Sequence, residues 1–570
     1  MIEFAKKGLE IIRREGVMAL FDRAWSKRDR RRFYRDYRKW IEQYERLTDD
    51  EIRSAVAISD AFAHRPLISV LMPVYNVDGI WLRQAIESVH RQIYTNWQLC
   101  IADDHSTKTH IREILDEVAN ADDRVKVVYR QTNGHISAAS NSALALADGE
   151  FTVLLDHDDV LAPTALYFLI KEINEYPAAE IIYSDEDKID SRGHRFAPVF
   201  KPDWSPELMN SFNVFTHMIA YRTALVKRLG FRLGHEGSQD YDLALRAISI
   251  VDADKIRHIP RVLYHWRAVS GSVAFSSGEK QYAHERARTA ITEHLREKGI
   301  AATAVKGVGE THRLHFDTSE RLPLISIIVF GSGDSTEEAL AHSDLGYSYE
   351  TIAISRVEKS RIETSDGDGL YDRLNSAASS AQGELLLFLD GSAREFSPGW
   401  AGELAGFANR PEIAAVGAKL IYPDRCIKFA GFVLLPDGIG RPFAGKRSNY
   451  LGNSFRPAVV QNVSAVSIDC LMIRTSLFRE LGGFDAATFK DRYGDIDLCL
   501  RSLKRGYRNV WTPWAEIVQD RRGSADDARA LVSLRHRWPE YFQRDLYYNP
   551  NLSIENAGDA LAHPPRQDRF

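Results

Sequence analysis

At 570 residues the chain is too long for a single hydrophobic core, so two or three domains are expected. Hydrophobic residues make up 44% and charged residues 27%, with a formal net charge of -5, which gives no general nucleic-acid or membrane signal. Four scattered cysteines (Cys100, Cys426, Cys470, Cys499) exclude a disulfide framework and a cysteine zinc site, and no apolar run approaches the ~20 residues of a membrane span.

Such sparse cysteines fit a reducing compartment, and the N-terminus lacks the apolar stretch of a signal peptide, so a cytoplasmic protein is expected. Residues 1–64 read as a basic helical segment. In residues 1–40 thirteen Lys or Arg against six Asp or Glu leave a local charge of +7, with Ile11, Ile12, Val17, Leu20, Phe21 and Trp25 among them. Three readings stand. The segment is an amphipathic helix resting on the anionic inner face of a membrane, a nucleic-acid arm, or a helix packed on the body with a solvated basic face. The interspersed acids argue against the nucleic-acid arm.

Alternation of strand and helix then begins. Pro66 to Met72 reads as a buried parallel strand ended by Pro73, with Val74, Tyr75 and Asn76 in the turn. Asp78 to Arg91 has helical spacing through Ile80, Leu82, Ala85, Ile86 and Val89. A second strand, Trp97 to Ala102, closes on Asp103, Asp104, His105 and Ser106. A third, Val125 to Tyr129, precedes Asn133-Gly134, and a small-residue helix from Ser137 to Ala147 leads into the strand Phe151 to Leu155. That strand delivers Asp156, His157, Asp158 and Asp159 to its carboxyl end, with Pro163 expected to stop it. Two hard oxygen donors in a short loop are how Mg²⁺ or Mn²⁺ is held beside a nucleotide. The bland alternative is a solvated acidic turn. Parallel strands with acids after them place a ligand crevice at the carboxyl edge of a doubly wound sheet.

Pro73-Val74-Tyr75-Asn76, Asp103-Asp104-x-Ser106 and Leu155-Asp156-His157-Asp158-Asp159, in this order and spacing, resemble the nucleotide-sugar half of a family 2 glycosyltransferase with the GT-A fold. The resemblance implies that Pro73, Val74, Tyr75, Asn76, Asp78, Ser106, His157 and Asp103 or Asp104 surround the nucleotide sugar. It implies that Asp158, with Asp156, binds a divalent metal on the diphosphate. The alternatives are a plain turn at Tyr75-Asn76 and an Asx-type cap at Asp103-Asp104.

Downstream, Ile181 to Ser184 ends in Asp185, Glu186 and Asp187, and Lys201-Pro202-Asp203-Trp204 forms an aromatic loop. Asp185, Trp204 and Glu236 are the candidate acceptor-side residues, with simple packing the alternative for Trp204. In His235-Glu236-Gly-Ser-Gln239-Asp240-Tyr-Asp242, Asp240 falls at a helix N-terminus, where a cap is its plain role. In the family an acid at this position is the general base; Gln239 stands where the family more often has an acid, leaving Asp240. The resemblance also suggests His265, in Tyr264-His265-Trp266-Arg267, as a third metal ligand, against a packed core histidine.

The second half restates the first. Leu324-Ile-Ser-Ile matches Leu67-Ile-Ser-Val, Gly383-Glu-Leu-Leu-Leu-Phe-Leu-Asp390 matches Gly149 to Asp156, and Asp495-Ile-Asp497-Leu-Cys-Leu-Arg501 matches Asp240 to Arg246. The chain therefore resembles tandem glycosyltransferases of bacterial polysaccharide assembly, with domains expected at 65–310 and 320–553 and a tail at 554–570. The second copy has Gly331-Ser-Gly333 for Val-Tyr-Asn, Ser355-Arg356 for the paired acids, Gly391-Ser392-Ala393 after Asp390, and Gln519-Asp520 for the histidine. It should bind a nucleotide diphosphate poorly and serve to hold or dock glycan. The expectation is an inverting, metal-dependent transfer from a nucleotide diphosphate sugar to a cell-surface or lipid-linked glycan. The alternative is a non-catalytic carbohydrate-binding scaffold of an assembly complex.

Overall fold

The computed structural model describes residues 31–268, 279–317, 322–331, 334–343, 345–354, 369–520, 527–555 and 558–569. The first thirty residues, and Ser332, Gly333, Ser355 and Arg356, lie outside the described residues.

The first sheet contains β1 (Ile68–Val74), β2 (Trp97–Asp103), β3 (Val125–Tyr129), β4 (Phe151–Leu154), β5 (Val160–Leu161), β6 (Ile181–Ile189), β7 (Arg195–Val199), β8 (Ile219–Arg222) and β9 (Ile256–Arg267). Across the sheet they run β3-β2-β1-β4-β8-β6-β9-β5, with β7 beside β6. β1 to β4 are parallel and β8 is antiparallel between β4 and β6. Continuous apolar runs form β1 and β2 because both faces are covered. Val70 and Met72 of β1 meet Leu82, Ile86 and Ile111 of the helices Gly79–His90 and Thr109–Ala121 on one face. Leu71 meets the small-residue helix His135–Ala145 on the other. Successive side chains of a strand point to opposite faces, so one short run serves two cores.

An antiparallel hairpin, β10 (Ala302–Lys306) and β11 (His312–Phe316), leads to the second half. There follow β12 (Ile325–Phe330), β13 (Tyr349–Ile354), β14 (Leu385–Asp390), β15 (Ala393–Phe396), β16 (Ile413–Ile421), β17 (Ile427–Phe429), β18 (Val433–Leu435), β19 (Gly438–Gly440), β20 (Gln461–Asn462), β21 (Cys470–Arg474) and β22 (Arg508–Gln519). The second sheet runs β13-β12-β14-β21-β16-β22-β15, which is the order of the first without its β3 edge.

The likeness reaches individual hydrogen bonds. Ser69 Oγ accepts from Gly149 N–H at 2.9 Å and Ser326 Oγ from Gly383 N–H at 2.8 Å. Asn141 exchanges two bonds with the backbone of Phe231, and Asn375 does the same with Phe484. Arg246 Nε donates to Asp242 at 2.9 Å and Arg501 Nε to Asp497 at 2.7 Å. At Gly149 a Cβ would lie 2.6 Å from the Leu67 carbonyl, and at Gly383 2.5 Å from Ser326 N. Only glycine lets the strand entry approach so closely.

The two halves share one apolar cluster running from Leu71 and Tyr183 through Leu314 to Leu387 and Trp511. A buried polar knot also joins them. Ser205 Oγ donates to Asn462 Oδ1 at 2.8 Å, Asn462 Nδ2 to Glu207 at 2.6 Å, and Glu207 takes Arg508 and Arg410 at 3.0 Å each. Residues 31–45 form a helix whose Tyr37 and Trp40 are buried against Phe200, Val262, Leu552 and Leu561, while Arg31, Arg32, Arg35, Arg38 and Lys39 stay exposed. The described part of the basic segment is thus packed on the body with its charges solvated. Residues beyond 553 pack as well: Trp40 Nε1 donates to the Ala562 carbonyl at 2.9 Å. Among the described residues no helix is long and apolar enough to cross a membrane.

Candidate active site

β4 stops at Leu154, well before Pro163, because the chain turns on itself: Asp159 N–H donates to the Asp156 carbonyl at 3.2 Å. The turn presents its acids at the carboxyl end of the parallel strands. Asp159 is buried. Its Oδ2 accepts from the Tyr264 hydroxyl at 2.7 Å and its Oδ1 from Arg267 N–H at 2.7 Å, which ties the turn to β9. Arg267 also donates through Nε to the Asp158 carbonyl at 2.6 Å, and its guanidinium lies over the Trp81 ring. Burial raises both Asp158 and Asp159. The Asp156 charge adds to each, offset at Asp158 by His157 and at Asp159 by His217.

His217 completes this cluster. Ligand atoms of Asp156, Asp159 and His217 lie within 4.8 Å of one another. Both Asp159 oxygens are already engaged, so Asp156 and His217 are the members open to a cation. The His217 ring stacks on Tyr264 at 4.4 Å, and its Nδ1 and its own N–H both meet Glu186 Oε2 at 2.8 Å. With Nδ1 so engaged, Nε2 is the nitrogen left for a ligand, an arrangement typical of histidines that bind metals. Burial lowers His217, but the bond and charge of Glu186, then Asp159 and Asp156, carry it up to about 9. Glu186 is raised by burial and brought below its ordinary value by the Lys201 ammonium and His217. The donor set, hard carboxylate oxygens and one imidazole with mutually repelling acids, fits Mg²⁺ or Mn²⁺.

Asp240 stands in the first turn of the helix Gln239–Ile248, and Asn213 Nδ2 donates to its Oδ2 at 3.0 Å. Burial raises its carboxyl; His217 pulls it down and Asp156 pushes it up, leaving it above the ordinary aspartate value. Asp240 therefore feels the charges of the cluster directly. Asp242, two residues on, is buried among Arg232, Arg246 and His235 and holds the helix in place.

His265 is not in that cluster. Its Nδ1 meets Asp187 at 2.6 Å, and Asp187 also takes Arg195 and the Tyr37 hydroxyl. The pleat is the reason. Glu186 pairs with Tyr264 and Lys188 with Trp266 on the cleft face, whereas Asp187 pairs with His265 on the opposite face. Asp185 likewise has its oxygens taken up by protein partners. It is fully buried, takes His258 Nε2 at 2.9 Å and Lys201 N–H at 2.9 Å, and receives Asn549 Nδ2 at 2.8 Å from near the chain's end. Trp204 leans on Phe215 at 5.4 Å and faces a groove between the halves. Glu236 is held by Arg286 at 3.0 Å and Gly234 N–H at 2.8 Å in the loop before Asp240.

On the opposite side of the turn, the ends of β1 and β2 are laced together. Asn76, with a left-handed φ of 46°, donates its N–H to Ser106 Oγ at 3.0 Å and accepts at Oδ1 from Thr107 N–H at 2.9 Å. Tyr75 is 45% exposed, a ring free to stack. Asp78 caps its helix through Ile80 N–H at 3.0 Å. The Pro73 carbonyl takes His157 Nδ1 at 3.0 Å, Val74 is buried, and its carbonyl accepts from Asp104 N–H at 2.9 Å. Asp104 is consumed by Arg130 at 2.7 Å and Gly134 N–H at 3.0 Å, whereas Asp103 makes only long contacts to Ser106 N–H. Of the two acids, Asp103 is the one with capacity to spare.

The second half has an ammonium where the first has its acids and histidine. Register aligns Asp469 with His217, since Arg474 opposes Leu385 as Arg222 opposes Phe151. Lys428 Nζ lies 2.9 Å from Asp469 and 2.7 Å from Gln519 Oε1, and Asp390 turns back on Ser392 N–H at 2.8 Å.

His217 and Glu186 escaped sequence reasoning. Glu186 was visible only as one of three acids, and the period-two pattern from Ser184 to Lys188 is the signal that separates it from Asp185 and Asp187. For His217 there was no local signal.

Residues 69–230 match the model of the family described as Glycosyl transferase family 2. The uncharacterized protein y4gI of Sinorhizobium fredii is 39% identical over 535 residues, covering 88% of this chain and 59% of the relative. The O-antigen biosynthesis protein RfbC of Myxococcus xanthus is 31% identical over 563 residues, covering 93% of this chain and 43% of the relative. The chain thus spans about half the length of these curated relatives, 59% and 43%. A crystal structure of S. aureus TarS 1-349 with UDP-GlcNAc matches 40% of this chain and 66% of its own, at 22% identity and a TM-score of 0.33. The matched family model lies over the sheet that presents Asp156 and His217, so the first half of the chain is similar to the family 2 glycosyl transferases across that sheet.

Proposed function

We propose that the first half transfers a sugar from a nucleotide diphosphate sugar to a glycan acceptor, with inversion. The observation that carries this is the cluster of Asp156, Asp159 and His217 ligand atoms within 4.8 Å of one another, with Asp240 close enough for Asp156 and His217 to act on its charge. Tyr75, Asn76, Asp103 and Ser106 would hold the nucleoside at the ends of β1 and β2. Asp156 and His217, with Asp158 in the same turn, would hold Mg²⁺ or Mn²⁺, which when bound supplies positive charge for the departing diphosphate. Asp240 takes the proton of the attacking hydroxyl. Its raised pKa makes it a better proton acceptor than an ordinary aspartate, and the bond from Asn213 orients its carboxylate. A single displacement inverts the anomeric centre, and no carboxylate nucleophile is required.

The RfbC relative supports polysaccharide assembly as the setting. The exposed basic face at Arg31, Arg32, Arg35, Arg38 and Lys39 supports a lipid-linked acceptor at an anionic membrane surface. The second half, with Lys428 lodged between Asp469 and Gln519, does not hold a cation and acts as a partner domain. The test is release of nucleotide diphosphate from a panel of UDP and GDP sugars with and without Mn²⁺. Activity should require the metal and fall in both Asp156→Ala and Asp240→Asn. Turnover independent of metal, or untouched by Asp240→Asn, would overturn the reading.

A further inference from the structure

A groove of about 700 Å³ separates the two halves, inside the size range of ligand sites. Trp204 and Asn210 line it from the first half, Phe316 from the β10–β11 hairpin, and Tyr347, Asn409 and Arg410 from the second. It lies at the far end of the Asp240 helix, where Ile248 forms part of its wall. Eight residue steps of helix, Asp240 to Ile248, separate the two places by about 12 Å. A chain of contacts also joins them: Asn213 holds Asp240 and the Phe215 N–H, and Phe215 packs on Trp204.

Two features of the lining point to a ligand. Arg410 and Asn210 are more than nine-tenths buried, yet Arg410 Nη1 and Asn210 Oδ1 have no hydrogen-bond partner among the described residues. A buried polar atom without a partner costs about 1–3 kcal/mol, so a donor and an acceptor left open on one groove call for a polar occupant. Three aromatic rings share that lining with them. Charge decides the class. The Arg410 and Arg508 guanidiniums are neutralised by Glu207 and Glu412. His294 is held down to about 4 by burial and by Lys298 and so is uncharged at neutral pH. Lys298, bonded to the Ser249 carbonyl, is offset in net charge by Asp317 of the same lining, so a phosphate backbone would find little net positive charge here, whereas a hydroxyl-rich neutral ligand finds donors, acceptors and flat apolar faces together.

We infer that the groove between the halves binds a neutral segment of a carbohydrate chain, placed one helix length from Asp240. This rests on the glycan-acceptor reading for the identity of the ligand, but not on the donor site. The experiment uses the full chain on an array printed with neutral bacterial surface polysaccharides, acidic polysaccharides and RNA. In parallel, UDP affinity is measured by calorimetry with Mn²⁺. At least one neutral glycan should be retained, and Trp204→Ala and Tyr347→Ala should each weaken that retention about tenfold. Tyr347→Ala should leave the UDP affinity unchanged. The half-buried Tyr347 guards against loss of fold at Trp204, and matched melting curves confirm it. No retention of neutral glycan, retention of acidic probes or RNA alone, or retention indifferent to both substitutions would overturn the inference. Loss of metal-dependent UDP binding by the unmodified protein would instead remove the donor-site reading and leave the groove to be judged by the array.

Discussion

The assignment of His217 as the cleft histidine can be tested through Glu186. Its Oε2 accepts from both the Nδ1 and the backbone N–H of His217 at 2.8 Å, which fixes the ring and turns Nε2 toward Asp156. Glu186→Gln keeps the shape and an acceptor oxygen but removes the charge. Carboxylates behind a metal-binding histidine typically contribute 10–100-fold to metal affinity, or about 1.4–2.7 kcal/mol. Calorimetric titration of the full chain with Mn²⁺ in the presence of UDP should therefore show a Kd weakened by about 10–100-fold. His217→Ala should weaken it at least as much. His265→Ala is the control, because its ring faces Asp187 across the sheet and should leave Kd within about twofold. If Glu186→Gln binds Mn²⁺ as well as the unmodified chain while His265→Ala loses tenfold, the pleat argument is wrong and β9 supplies the ligand.

Asp240→Asn should cut turnover by about 10²–10⁴-fold without changing nucleotide affinity, as removal of a general base does. Because its carboxyl is raised by burial, the acid limb of the unmodified enzyme's rate should fall at a pH above the ~3.9 of an ordinary aspartate, and a limb at that ordinary value would count against the role. Glu207 is lifted by burial but brought down to about 2 by Arg508 and Arg410. A depressed carboxylate stabilises above its unfolded value and loses that contribution as pH falls toward 2. The advantage of the unmodified protein over Glu207→Gln, about 3 kcal/mol at pH 7, should shrink between pH 4.5 and 2 in thermal melts. Asp185→Ala should destabilise by about 1–3 kcal/mol for each buried partner left unpaired, His258 and Asn549, with the Mn²⁺ affinity unchanged. Asp390→Ala, beside the lysine-filled site of the second half, should leave the nucleotide-release rate unaltered.

What the amino-acid order determined by itself was local. Apolar runs such as Ile68 to Met72 and Leu385 to Leu389 must be strands covered on both faces, small and periodic stretches must be helices, and acids following strands must gather at one edge of a parallel sheet. The duplication was equally legible, since the Leu-Ile-Ser, Gly-Glu and Asp-x-Asp-x-x-x-Arg strings recur in the same order in both halves. Which of several adjacent acids faces the cleft was not. Asp185 and Asp187 differ from Glu186 only by one step of the pleat, and Asp104 from Asp103 only by the arrival of Arg130 and Gly134 from elsewhere in the fold. His217 enters because β8 inserts antiparallel between β4 and β6, and the groove at Trp204 exists because the halves meet through Glu207, Asn462 and Arg508. These are pairings between residues far apart in the chain. A sequence records each partner's chemistry but not the sheet register and burial that bring the partners to one place.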